Sequence, residues 1–294
     1  MLLTAGGEGC AYLWRLEPEP APVEALHDLA ELLSHHRLDD EPVVLDHFET
    51  FAVSQLDALG LGTAVGHRSW FVYALDPAPH RRGGKLTPAQ RRALARRQRP
   101  LPAPGGVSRS ADRLLDVLTD ALLPGTTLAL LSDAHPAYAP AVRRHPRAAQ
   151  VEHRVYPNPA RGPKGSRRSP AARARDAAMF PADQLHALLR HSCAHHRRET
   201  IAFSRRINST LERGFQFLLW RNTIKWRSER KPDRTTPAMR LGLTTEPWTY
   251  PRVLSRRLFP DREQLGGMQL ALYRRDWITP ELPSNTRHRP VFTF

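Results

Sequence analysis

Residues Thr126–Tyr138 read TTLALLSDAHPAY. A run of small and aliphatic residues ends on the carboxylate of Asp133 and turns at once through Ala-His-Pro. The apolar part has the length and composition of a buried strand, and the His-Pro step after it is a turn signal. A strand gains no stability from a terminal carboxylate, whereas a site at the lip of a sheet can use one. What Asp133 does therefore depends on what the fold sets beside it.

Upstream, Glu41–Val53 reads EPVVLDHFETFAV. It is rich in β-branched and aromatic residues and is expected to be a strand, with Asp46 inside it, where Asp is depleted. Gly60–Asp76, GLGTAVGHRSWFVYALD, reads as two further short strands that complete an antiparallel meander. A basic loop leads into a short helix after Thr87-Pro88 and then a Pro/Gly linker. SRSADRLLDVLTDALL (Ser108–Leu123) has helical spacing at Leu114, Leu115, Leu118 and Leu122, with Ser110 as the expected cap.

Downstream of the opening stretch, Ala137–His145 reads as a short helix or turn and Ala149–Pro157 as a strand. Residues 157–180, rich in Pro, Arg and Ser, are expected to form a loop that is mobile without a ligand. PADQLHALLRHSCAHHRRET is expected to be a helix with Pro181 near its first turn, and Asn208–Arg230 a second long helix. The N-terminus reads as a Pro-broken acidic linker, LEPEPAPVE, followed by a short amphipathic helix over Val23–His36.

The chain order is thus three strands, helix, strand, helix or turn, strand, helix. This is the order of an RNase-H-like α/β fold: a mixed sheet of three antiparallel strands and two further strands, flanked by helices, with a helical C-terminal extension. The expected organisation is a linker and short helix over 1–41 and a catalytic domain over 42–210. Basic insertions fall at 77–106 and 157–180, and an extension covers 211–294.

The chain has 294 residues, 44 Lys+Arg against 29 Asp+Glu, and a net charge of +15. Basicity on this scale points to a polyanion, with nucleic acid the usual one; a high-GC codon bias toward Arg accounts for part of it. From Arg81 to Arg99 there are eight basic residues and no acid. Cys10 and Cys193 are the only cysteines. No CxxC pair exists, which excludes a zinc finger or ribbon and fits a reducing cytosol. No basic leader and no apolar run of membrane-spanning length occurs, so a soluble, cytoplasmic protein is expected.

On this skeleton Asp46 lies in the first strand, Asp133 ends the fourth, and Asp183 opens the helix after the fifth. In such a sheet the first and fourth strands are neighbours and the helix crosses near them. Three clustered carboxylates repel one another and suit hard divalent cations. Two Mg²⁺ (or Mn²⁺) ions about 4 Å apart can activate an attacking oxygen and stabilise the leaving oxygen of a phosphodiester. Asp at a strand end also caps turns, and an acid in a first helical turn favours the dipole, so each residue also has a plain structural use. Glu49 and Glu199 are rival ligands.

DQLHALLRHSCAHHRRETIAFSRR (Asp183–Arg206), followed by WRNTIKW and TTPAMRLGL, resembles bacterial insertion-sequence transposases with an RNase-H-like DDE/DDD catalytic domain. In many of these the third acid lies in Glu-x-x-Asn-x-x-x-Arg, followed by Arg-Lys-Thr-x-x-Phe-Ser-Lys. Here Asp183, His186 and Arg190 fall on the first set of positions, and Arg198, Glu199, Thr200, Phe203, Ser204 and Arg205 on the second. LDHFETF and SDAHPAY resemble the contexts of the first two acids. Asp replaces the usual Glu, and His the usual Asn. The zinc-binding or helix-turn-helix module that such proteins commonly carry before the first acid is expected to be lacking here.

The resemblance implies metal-dependent DNA cleavage and strand transfer of an insertion sequence, by a homo-oligomer on DNA that is nucleoid-associated in a bacterium. It implies no small-molecule cofactor and no membrane. Asp46, Asp133 and Asp183 would be the catalytic and metal-binding acids. Arg190, Arg197, Arg198, Arg81, Arg82, Lys85, Arg167 and Arg168 would be the DNA contacts. The alternatives are a degenerate transposase that only binds DNA, or an RNase-H-like nuclease. Two weaker patterns remain. His191 and His195 have zinc-ligand spacing but lack the Glu of a zincin. Phe215, Phe217, Trp220 and Trp226 could stack on bases, or pack in the core as helical spacing more often means.

Overall fold

The computed structural model describes residues 41–96, 101–122, 124–160 and most of 162–251, together with three short strands outside these ranges. Two of those strands, β1 (Leu2–Ala5) and β2 (Ala11–Trp14), form an antiparallel pair, so the segment expected to be irregular contains regular structure. The expected amphipathic helix at Val23–His36 lies outside the described residues.

The main sheet has five strands: β3 (Val43–Phe51), β4 (Ala58–Gly66), β5 (Val72–Pro79), β6 (Leu128–Ser132) and β7 (Val151–Val155). Their order across the sheet is β5-β4-β3-β6-β7. The first three run antiparallel, and β6 and β7 join parallel to β3 and to each other. The protein is therefore an α/β structure with a mixed sheet, as the strand runs in the sequence lead one to expect.

Strand alternation divides the core into two layers. Val43 and Leu45 pack with Leu114, Leu115 and Leu118 of helix α2 (Gly106–Asp120). Val44 packs with Ala178, Met179 and Ala182 of helix α4 (Pro170–Ser192), and Phe48 with Leu185 and Leu189 of the same helix. Even-numbered positions of β3 thus face α4 and odd-numbered ones face α2. Helix α1 (Pro88–Ala95) is basic and is capped by Thr87, whose hydroxyl accepts from the Gln90 amide at 3.2 Å. Helix α3 (Tyr138–Arg144) follows β6. Helix α5 (Ile207–Leu219) runs on into a wide π turn, Trp220–Ile224, and α6 (Pro237–Arg240) is one turn long. The third short strand, β8 (Arg257–Leu258), pairs with β2.

Helix α2 starts earlier than the sequence suggests. Gly105 precedes it in the left-handed region, and a Cβ on Gly106 would lie 1.9 Å from the Pro79 carbonyl oxygen, so only glycine fits where the helix crosses the end of β5. Ser110 is consequently a buried interior residue and not the cap. One turn on, Arg113 clamps the fully buried Asp76 of β5 through Nε–Oδ1 at 2.8 Å and Nη2–Oδ2 at 2.6 Å. Burial raises the Asp76 carboxyl and the Arg113 bonds draw it back down.

Helix α4 corrects a larger expectation. Residues 157–180 are not all loop: the helix begins at Pro170, with the Ser169 hydroxyl accepting from the Ala172 amide at 3.1 Å. Pro181 is not in a first turn but inside the helix. It has no N–H to give the Ala177 carbonyl four residues back. The His67 Nε2 of the β4–β5 turn donates to that oxygen instead, at 3.2 Å.

One residue at the outer edge of β5 is capped by a side chain. Asn222, in the π turn, accepts from the Val72 amide at 2.9 Å and donates to the Val72 carbonyl at 3.0 Å. It supplies both bonds that a further strand would make to that residue. In the β4–β5 turn the carboxylate of buried Glu41 accepts from the amides of Arg68 and Ser69, each at 2.8 Å, and from the Tyr73 hydroxyl at 2.7 Å.

Candidate acid site

The register of β3 against β6 brings the two strand acids together. Val43 pairs with Leu130, Val44 with Leu131 and Leu45 with Ser132, a constant offset of 87. The next pair in that register is Asp46 and Asp133, the residue just past β6. Val44 and Leu131 both face α4, so by alternation the carboxylates two residues on face α4 as well.

Asp46 sits between Val44 and Phe48 in an otherwise apolar row. Its Oδ1 accepts from the His47 amide at 2.8 Å and lies 3.5 Å from the Tyr138 hydroxyl, which is 2.9 Å from His47 Nδ1. Its Oδ2 lies 3.7 Å from His186 Nδ1. The Thr63 hydroxyl donates to the Asp46 carbonyl at 3.1 Å and lies 3.0 Å from His186 Nε2. With its one proton given to that carbonyl, Thr63 must accept from Nε2. His186 Nδ1 then turns a lone pair toward Asp46. Burial depresses His186 to about 3, so the ring is neutral.

The Asp46 carboxyl is pushed up to about 7. Burial is the main cause; Asp133 adds to it, and Asp183 adds further, against a backbone bond from His47 and a weaker pull from Arg175. The site holds more negative charge than its cations balance. Asp133 is itself ordered: Oδ1 accepts from the His135 amide at 2.9 Å and Oδ2 from Asn158 Nδ2 at 3.1 Å.

Helix α4 carries Met179, Asp183, His186 and Arg190 along one ridge, at spacings of four, three and four. Asp183 is in the body of the helix, not at its opening, so a favourable interaction with the dipole does not explain it. Its carboxylate is half exposed and forms an ion pair with Arg175 Nη1. Arg190 donates to the Glu49 carbonyl at 2.8 Å and to the His196 carbonyl at 3.3 Å, and its guanidinium lies 4.5 Å from the centre of the Phe48 ring. Its known bonds are internal ones.

The basic residues named from sequence are mostly at the surface. Arg81 and Lys85 are exposed, as are Arg167, Arg168 and Arg197. Arg82 is half-buried, 3.3 Å from the Gln55 carbonyl, and Arg168 pairs with Asp176. Arg198 and Glu199 lie outside the described residues. Glu49 falls on the opposite face of β3 from Asp46 and approaches His80 Nε2 at 3.2 Å. His191 is exposed in the last turn of α4, whereas His195 is buried in the separate turn Ala194–His196, so the two do not share a helix face. Phe217 is core and Phe215 and Trp220 pack against it, while Trp226 is exposed. Tyr138, Thr63 and Arg175 also border the site, and the sequence alone does not single them out. Their partners lie 92, 17 and 8 residues away in the chain, and no local pattern marks them.

Among the described residues no three His, Cys, Asp or Glu side chains are grouped as a metal site. The acid pair nevertheless suits a divalent cation in donor type and charge: two carboxylates at neighbouring strand positions, one of them held near neutrality by the other and by burial. Comparisons with protein-family models, curated proteins and solved structures give no match.

The raised Asp46 carboxyl has a measurable consequence. A carboxyl ordinarily near 3.8 that titrates near 7 in the folded protein keeps its full stability below about pH 4 and loses it as pH rises through 7. The expected loss between pH 5 and pH 8 is on the order of 3 kcal/mol. Urea unfolding at pH 5 and pH 8 in EDTA measures it, and Asp46→Asn should remove most of the difference. An unchanged difference in that variant would place the titrating group elsewhere.

Proposed function

We propose that the chain is a metal-dependent DNA-processing enzyme with an RNase-H-like catalytic domain, acting on phosphodiesters as a DDE/DDD-type transposase does. The observation that carries this reading is the parallel register of β3 and β6, which sets Asp46 and Asp133 at the next neighbouring positions, on the face crossed by α4. The sheet order, with the third, second, first, fourth and fifth strands side by side, supports the fold assignment. The resemblance of the 183–206 segment supports the transposase assignment over a general nuclease.

Asp46 and Asp133 would hold Mg²⁺ or Mn²⁺, as one of two ions, with Asp183 or Glu199 as third acid. When bound, the metal supplies Lewis-acid stabilisation of a phosphoryl oxygen and an activated attacking oxygen. The protein's own part is positional. Val44 and Phe48 flank Asp46 on β3, Thr63 ties its main-chain carbonyl to the His186 ring, and the Tyr138 hydroxyl reaches one carboxylate oxygen. Asp183 must leave Arg175 to join. Exposed Arg81, Lys85, Arg167 and Arg197 offer charge to a DNA backbone, each neutralised phosphate steepening the log-log salt dependence by roughly 0.9 on duplex DNA. The test is nicking of supercoiled plasmid by the full chain with Mg²⁺ or Mn²⁺. DNA binding without nicking in either metal would overturn the catalytic reading and favour a DNA-binding remnant.

A further inference from the structure

Arg221 is the largest fully buried side chain in the described protein, with 1% of its surface exposed. Its Nη2 donates to Gln184 Oε1 at 3.1 Å, and its Nη1 has no hydrogen-bond partner among the described residues. No carboxylate there lies within ion-pair distance of it. A second cation is close by. The guanidinium carbons of Arg221 and Arg227 lie 5.9 Å and 4.1 Å from the centre of the Trp70 ring. Arg227 is partly exposed, and its nearest acid, Asp233, is 3.9 Å away, too far for a good ion pair. Arg240 is exposed and adds a third positive charge that acts on Arg227.

Trp70 itself is held with φ at 65°, in the left-handed region that a bulky residue rarely adopts. Such strain persists only where the surroundings enforce it. A buried guanidinium without an anion costs several kcal/mol, and a like charge beside it raises that cost. Burial, followed by the influence of Arg227, draws Arg221 down to about 10, which still leaves it charged at neutral pH. Donors of this geometry and charge suit an anion with several acceptor oxygens.

We propose that Arg221 and Arg227, set around Trp70, form a phosphate-binding subsite. Its ligand is the phosphate group of a nucleic-acid backbone. That last assignment rests on the function proposed above, whereas the anion site does not. Gln184, which holds Arg221, lies next to Asp183 and two residues before His186. The subsite is therefore tied to the same helix, α4, that crosses the face of the acid pair. Val43, the residue level with the Trp70 turn, is three strand positions from Asp46, about 10 Å along β3.

The experiment is thermal unfolding of the full chain in chloride and in inorganic phosphate at matched ionic strength, without added metal. Phosphate should raise the wild-type midpoint in a saturable way. Arg227→Gln should lose that rise with little change in chloride. Arg221→Met should lose it too and should melt higher than wild type in chloride, because an uncompensated buried charge has been removed. A phosphate response retained in both variants, or an Arg221→Met midpoint below wild type in chloride, overturns the site. Binding of a labelled single-stranded oligonucleotide separates the sources. A salt slope reduced by roughly 0.7 in Arg227→Gln supports a backbone phosphate. An unchanged slope, with the phosphate response lost, overturns the nucleic-acid assignment and leaves a free phosphate or phosphorylated small molecule. No cleavage is read, so failure here leaves the nicking test intact, and absence of nicking leaves this one intact.

Discussion

Asp46→Asn and Asp133→Asn are each expected to lower divalent-dependent nicking of a supercoiled plasmid by roughly 10³-fold or more. Asparagine keeps the shape and hydrogen-bonding reach of aspartate and removes its charge, so the loss tests charge at the site rather than its packing. Asp46→Asn should also be the more stable protein above pH 7, since the wild-type carboxylate is pushed up to about 7 by burial and by its neighbour Asp133. A variant that is inactive yet better folded cannot owe its inactivity to unfolding. Asp183→Asn and Glu199→Gln, assayed alongside, identify the third acid: the one whose loss matches that of Asp133→Asn takes the role. Nicking within about tenfold of wild type in Asp133→Asn would remove the acid pair from the chemistry.

The second large effect lies on the other side of the sheet. Arg113→Met should destabilise the fold by roughly 3–5 kcal/mol, because it strands the carboxylate of Asp76, which has no exposed surface. Asp76→Leu combined with Arg113→Met should recover most of that loss, since apolar replacement of a whole buried pair is often neutral. Chemical denaturation of the two single variants and the double variant closes the cycle. Equal, additive losses would mean that the pair is not coupled and that helix α2 is held by its leucines alone.

Much of this architecture was legible in the chain. The runs around Val43, Leu61, Val72, Leu130 and Val151 carry strand signals strong enough to survive without tertiary help, and Asp46 and Asp133 stand out because each interrupts or ends such a run. Helix α4 shows where composition misleads. Arg, Pro and Ser between 157 and 180 read as a loop, yet Ser169-Pro170 is itself a helix start and Ala171, Ala172, Ala177 and Ala178 favour helix. Pro181 reads as a beginning because nothing local reveals that His67, 110 residues away, satisfies the carbonyl it frees at Ala177. Ser110 failed as a cap because the backbone crossing at Gly106 and Pro79, a tertiary contact, sets where α2 begins. The pairing of Asp183 with Arg175, two helical turns away, was equally hidden, since helical spacing allows it without requiring it. In the sequence His186 stands out only as a departure from a motif, and its approach to Asp46 depends on the tilt of α4 across the sheet.

The Asn222 amide that finishes the edge of β5 stands 150 residues downstream of Val72, the residue it completes. During synthesis the meander can form long before its seal exists. At about 5–20 residues per second the ribosome needs roughly 8 to 30 seconds to deliver that amide. Throughout that interval Val72 offers its N–H and C=O to any other nascent chain. A fragment ending before residue 222 would keep that pair open, so premature termination leaves this end of the sheet edge more prone to pairing with another chain.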